Sequence, residues 1–149
     1  MRSLKRNPEQ SGRSVRVFLD ANTIVSGILF KGNEATLLEL GRVKAVELVT
    51  NLYVLEEVTR VIRRSEFRLN LEEVNGLIKY VHECITVLED PSSNEIRENV
   101  SVLDDGKDVP VMLGFHGSNA DFLVTGDKEL LEKILNSTTT KKLLEKILP

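Results

Sequence analysis

Apolar and polar positions fall in blocks along the chain, and the period of the blocks switches between strand-like and helix-like. VRVFLD at 15–20 is short, rich in β-branched and aromatic residues, and breaks off in polar ones. It predicts a buried strand. After a loop, GNEATLLELGR at 32–42 predicts a helix that Asn33 can cap and that stops near Gly41. AVELVT at 45–50 predicts a second strand, and Thr50 and Asn51 can cap the helix LYVLEEVTRVIRR that follows. NLEEVNGLIKYVHEC predicts a helix capped by Asn70, and ITVLED a third strand halted by Pro91. The stretch PSSNEIRENVSVLDDGK at 91–107 is polar and of ambiguous period. DVPVMLGFHG predicts a short helix with Pro110 tolerated in its first turn. DFLVT at 121–125 predicts a fourth strand, and the tail from Lys128 one or two helices with a short strand around ILN at 134–136.

Strands that alternate with helices predict a three-layer α/β/α fold around a central parallel sheet of four to five strands. The 149 residues fit one domain over 15–149. Residues 1–14 are polar, and from Met1 to Arg16 five basic residues stand against one acid. This segment reads as a flexible basic arm.

Composition narrows the chemistry by exclusion. One cysteine, Cys84, allows neither an internal disulfide framework nor a Cys-rich zinc site. Two histidines, His82 and His116, leave little scope for a His-based metal site or triad. A net charge of −3 is too mild to mark a polyanion binder. No apolar run reaches membrane-span length and the first residues lack a signal-peptide core, so a soluble, cytoplasmic protein is expected. The absence of Trp and the few aromatics argue against a base-stacking platform of the single-strand-binding type, so that specificity is expected from shape and a few polar contacts.

The acids carry the positive signal. In open parallel sheets ligands bind beyond the carboxyl ends of the strands. Asp20 ends the first predicted strand, and Asp127 follows the fourth after Thr125 and Gly126. Each could equally be only a helix cap. On the helix at 52–64, Glu56 points about 160° from the middle of the apolar arc, and Glu57 about 100°. Glu57 is therefore the candidate and Glu56 its solvated control. Asp108 opens the short helix on the side of Met112 and Phe115, as a cap or a site residue, whereas Asp104 and Asp105 read as solvated loop acids. Two carboxylates 4 Å apart cost on the order of 4 kcal/mol at an effective dielectric of 20. Converging acids must raise a pKa or bind a hard cation. An all-oxygen ligand set suits Mg²⁺ or Mn²⁺, and with it a metal-dependent nuclease or phosphatase. For the substrate's phosphates, Arg60 and Arg64 project on the Glu57 side of their helix, with Lys107 and Lys128 next to proposed ligands; the alternative is a solvated face in which Glu56 supports Arg60. His116 is nearer the proposed site than His82, and Cys84 reads as a small core residue.

VFLDANTIVSGIL, NLYVLEEVTRVI, DDGKDVPVMLGF and ADFLVTGDKELL, in that order, resemble the PIN-domain family of nucleases. The resemblance covers Val15 to about Leu131. It implies cleavage of single-stranded RNA at a Mg²⁺ or Mn²⁺ site. Carried over by position, it implies Asp20, Glu57, Asp108 and Asp127 as metal ligands and catalytic acids. Asn22 or Thr23, and Thr125, match the small polar positions that support the carboxylates or the water of the site. Arg60, Arg64 and Lys128 are the expected substrate contacts. Family members include toxins of toxin–antitoxin pairs and often dimerise, so an antitoxin partner and a homodimer are expected with it. The chain departs from the family pattern at Phe115 and His116, where small residues are usual, which narrows the cleft or only repacks the helix. Asn22 in place of a second Asp argues against an aspartyl-phosphate phosphatase. The competing reading is a noncatalytic nucleic-acid- or protein-binding module with a vestigial acidic site.

Overall fold

A computed structural model describes residues 14–149. The arm expected over 1–14 lies, but for Ser14, outside the described residues. Strand β1 (Arg16–Leu19) sits at the centre of a five-stranded, all-parallel sheet. It pairs on one side with β2 (Glu47–Asn51), which pairs with β3 (Ile85–Leu88). On the other side it pairs with β4 (Phe122–Val124), and β4 with β5 (Ser137–Thr138). The order β3-β2-β1-β4-β5 leaves the central strands buried on both faces, as their continuous apolar runs require. Val17, Phe18, Leu19, Val49, Leu123 and Val124 are fully buried.

The helices are α1 (Ala21–Leu29), α2 (Asn33–Arg42), α3 (Leu52–Ile62), α4 (Leu71–Cys84), α5 (Ser93–Glu98), α6 (Val109–Gly117), α7 (Lys128–Lys133) and α8 (Thr140–Ile147). Helices α1 to α4 pack on one another and α8 docks on α2, while α5 packs on α6 and α6 rests against β2. Among the described residues no helix is long and apolar enough to cross a membrane.

Several local features differ from the sequence reading, each for a visible reason. The segment expected as a loop after β1 is α1, whose residues Ala21, Thr23, Ile24, Val25 and Gly27 are all buried. The helix is short and mostly apolar, and only Asp20, its cap, separates it from β1, so nothing in the sequence sets its start apart from the strand. The N-cap of α2 is Gly32, at φ 152°, and Asn33 is the first helical residue. Gly41 does not end α2: a Cβ there would meet Leu48 and the carbonyl of Cys84, so glycine permits close packing, and Lys44 takes the left-handed turn at φ 63°. Asn51 caps α3 by accepting from Val54 N–H at 3.0 Å, whereas the Thr50 hydroxyl donates to the Leu19 carbonyl at 2.9 Å. The ambiguous stretch holds α5, started by a reciprocal Ser92–Glu95 capping box. The last strand is Ser137–Thr138 rather than ILN.

Helix α6 is seated by two contacts that matter for the site. Asn51 Nδ2 donates to the Pro110 carbonyl at 3.2 Å, and Gly114 faces Asn51 and the ring of Phe18 so closely that a Cβ would clash. The start of α6 is thereby fixed above the carboxyl ends of β1 and β2. Phe115 is buried in the core and Cys84 is a buried free thiol.

Candidate active site

Asp20 follows β1 directly and is 8% exposed. Its Oδ1 accepts the backbone N–H of Thr23 at 3.0 Å and caps α1, while its Oδ2 accepts the hydroxyl of Thr125. Burial pushes the Asp20 carboxyl up from its ordinary value; the bonds from Thr125 and Thr23 pull it back, and nearby Asp127 adds a smaller upward push. Thr125 comes from the end of β4, the neighbour of β1. Its hydroxyl both donates to Asp20 and accepts the backbone N–H of Asp127 at 3.0 Å. One buried side chain thus ties the two loops together. Asp127 caps α7 through Oδ1, which accepts from Leu130 N–H at 3.0 Å, and its other oxygen has no hydrogen bond among the described residues.

The remaining acids arrive from two other elements. Glu57 is half-buried on α3 and Glu56 is exposed, as the helical wheel predicts. Asp108 precedes α6 but makes no capping hydrogen bond. Together Asp20, Glu57, Asp108 and Asp127 line one cavity of about 160 Å³, with Asn22, Tyr53, Asp105, Lys107 and Val111. Asp105 is exposed, as expected, yet it faces this cavity; Asp104 does not. Burial, reinforced by Asp127, Asp105, Asp20 and Glu57, pushes the Asp108 carboxyl up to about 7. The cavity therefore holds more negative charge than its single lysine offsets.

Among the described residues, no three acid, His or Cys side chains close to a ready-formed metal cluster. The donor set nonetheless fits a hard divalent cation. All its atoms are oxygens, they come from four elements around one small cavity, and the Asp108 carboxyl is raised by burial and, after it, by the acids around it. Asn22 lines the same cavity, whereas Thr23 is buried behind Asp20 and acts only on that carboxylate.

A second cavity of about 330 Å³ adjoins the first, lined by Asn22, Tyr53, Glu57, Arg60, Val61, Arg64 and Lys107. Arg60 and Arg64 therefore stand beside the acids, and no ion pair joins Arg60 to Glu56 among the described residues. Lys128 is exposed and lines neither cavity; Lys107 lines both. His116 is not at the site. It lies at the far end of α6, about 12 Å along the axis from Asp108, and tilts against Phe115. Phe115 repacks the core and does not narrow the cleft, whose α6 wall is Val111. Sequence reasoning overlooked Tyr53, although its place on the α3 wheel falls between Glu57 and Arg60.

A family model described as PIN domain matches residues 16–129. The crystal structure of PAE2754 from Pyrobaculum aerophilum is similar in fold, with a TM-score of 0.69 over 91% of this chain and 96% of that one, at 21% identity. No curated protein matches the chain.

Proposed function

Because the chain belongs to the PIN-domain family, whose members are generally nucleases that use divalent metal ions, we propose that it is a Mg²⁺- or Mn²⁺-dependent endoribonuclease acting on single-stranded RNA. Asp20, Glu57, Asp108 and Asp127 would hold the cation. The observation that carries this reading is the common cavity these four carboxylates line, with the Asp108 carboxyl lifted to about 7 by burial first and then by the neighbouring acids. When bound, the cation acidifies water for attack on phosphorus and offsets the charge that gathers on the phosphodiester.

The chain's own residues supply the rest. Thr125 and Thr23 fix Asp20, so its carboxylate does not have to be ordered as substrate arrives. The cap of α7 orients Asp127 while one oxygen stays free. With its carboxyl raised to about 7, Asp108 is the acid that a cation in the cavity would hold in its charged form. Arg60, Arg64 and Lys107 bind the phosphates that flank the scissile one, replacing Lys128 in that role. The reading extends to a toxin held inactive by an antitoxin segment over the acidic cavity, and to a homodimer; co-purification and light scattering test these two points.

The direct test is cleavage of a labelled single-stranded RNA with Mg²⁺, Mn²⁺ or EDTA, beside the double variant Asp20→Asn, Asp127→Asn. Metal-dependent cutting that the variant loses is expected. Equal cutting by the variant refutes the site. Binding of RNA with no cutting under any metal points instead to a noncatalytic module.

A further inference from the structure

The chain has two tyrosines. Tyr80 is accounted for, since its hydroxyl donates to Glu39 at 2.6 Å. Tyr53 is not. It is half-buried at the junction of the acidic cavity and the arginine groove, lining both, and its hydroxyl makes no hydrogen bond among the described residues. Its backbone is held, because Tyr53 N–H donates to Asp90 Oδ1 at 2.8 Å, in the first turn of a helix already capped by Asn51. Burial first, and then the charge of Glu57, raise the phenol above its ordinary value, so the ring stays neutral wherever the protein works.

Its direction matters as much as its place. On the α3 wheel Tyr53, Glu57 and Arg60 fall within about 60° of one another, and Arg64, in extended backbone just past the end of α3 at Ile62, lines the same groove. Glu57 is one turn from Tyr53, about 6 Å along the axis, and Arg60 follows at about 10 Å. A neutral aromatic face, a carboxylate and two guanidinium groups thus form one stripe. Such a stripe matches the repeating parts of a nucleic-acid strand, which offers a flat base and then phosphates. The acids alone would repel that strand, and the arginines alone would read only its charge.

We propose that Tyr53 is a base-stacking subsite: one base of the RNA lies on its ring at the mouth of the acidic cavity, while the phosphates beyond run to Arg60 and Arg64. The proposal rests on the ribonuclease reading and deepens it. It makes the site selective for single strands, because a base inside a duplex has both faces already stacked. It is also tolerant of sequence, because every base has such a face.

The test is binding rather than cleavage, on the silenced Asp20→Asn, Asp127→Asn protein in EDTA at low salt. The probe is a 12-nucleotide oligouridylate carrying one 2-aminopurine, whose fluorescence reports stacking, beside the same strand annealed to its complement. Tight binding of the single strand with a change in 2-aminopurine emission is expected. Adding Tyr53→Ala weakens binding about tenfold or more and removes the emission change, whereas Tyr53→Phe keeps both. Adding Arg60→Ala and Arg64→Ala weakens binding and flattens its salt dependence, but leaves the emission change at saturation. A thermal melt shows that each variant is folded, and Tyr53→Leu, which keeps bulk without an aromatic face, must behave like Tyr53→Ala. Binding and emission that ignore Tyr53→Ala, or equal affinity for the duplex, overturn the subsite alone. If the silenced protein binds no strand at all, the RNA reading falls and the subsite with it.

Discussion

Replacing Asp108 by Asn should stabilise the metal-free protein, and only above acidic pH. The Asp108 carboxyl lies at about 7 in the fold, against 3.8 for the free side chain. The folded state therefore binds the proton more tightly than the unfolded chain does. Unfolding free energy falls as pH rises from about 4, and the loss is complete once pH passes about 7. At 1.36 kcal/mol per unit, a shift of about three units amounts to roughly 4 kcal/mol without screening. Asp108 is only half-buried, and solvent screening brings this to about 2 kcal/mol. Asparagine keeps the shape and removes the charge.

For a chain of this length, about 2 kcal/mol corresponds to a rise of about 6 °C in Tm. The assay is thermal unfolding by circular dichroism in EDTA, wild type beside Asp108→Asn, at pH 4 and pH 8. The two should melt together at pH 4, and the variant about 6 °C higher at pH 8. Added Mn²⁺ should then reverse the order. A ligand at a hundred times its Kd contributes about 2.7 kcal/mol, and wild type alone keeps the full donor set. A Tm difference that is the same at both pH values, or a wild type that is the more stable at pH 8 in EDTA, would refute the crowding of charge on which the cation site rests.

Three further outcomes follow from contacts around the site. Thr125→Val removes the hydroxyl that serves both Asp20 and Asp127 N–H, and should cost about 1–3 kcal/mol in urea unfolding, with Thr125→Ser close to wild type. Gly114→Ala places a methyl group 2.9 Å from Phe18 Cζ and against Asn51, and should cost about 1–3 kcal/mol by the same measurement while tilting the start of α6. Glu57→Gln should slow RNA cleavage on the order of 100-fold, the scale of one lost electrostatic stabiliser. Glu56→Gln should cut at the wild-type rate.

How much of this was legible beforehand depends on whether a residue's neighbours lie in its own element. The central strands and α3 were legible because period and length agree there, and the wheel alone separated Glu57 from Glu56. Helix α1 was not, because it is short and mostly apolar and follows β1 with only Asp20 between them, so no loop residues announce its start. Helix α5 carried its signal in Ser92 and Glu95, three residues apart, and a six-residue helix offers little else. Asp105 could not be found from pattern. Its loop has no period, and it faces the cavity because Leu103 is buried beside it and Glu129 accepts the N–H groups of Asp104 and Asp105.

The choice between cap and ligand, open for each acid in the sequence, dissolves for two of them in the structure. A carboxylate has two oxygens. Asp20 and Asp127 each give one to a helix N-terminus; the other oxygen of Asp20 takes the Thr125 hydroxyl, and that of Asp127 has no hydrogen bond among the described residues. Capping is thus compatible with the proposed site rather than a rival account of these residues. Asp108 is the exception that gives the reasoning an edge. It opens α6 without bonding to it, so nothing in helix formation requires an acid there. It stands among four other carboxylates, and burial first and then their charge raise its carboxyl to about 7. An acid placed where its charge is disfavoured, with no hydrogen bond from its side chain to cap the helix, points to what would neutralise it. Of the four acids, Asp108 is therefore the one whose variants bear most directly on whether this cavity is a cation site.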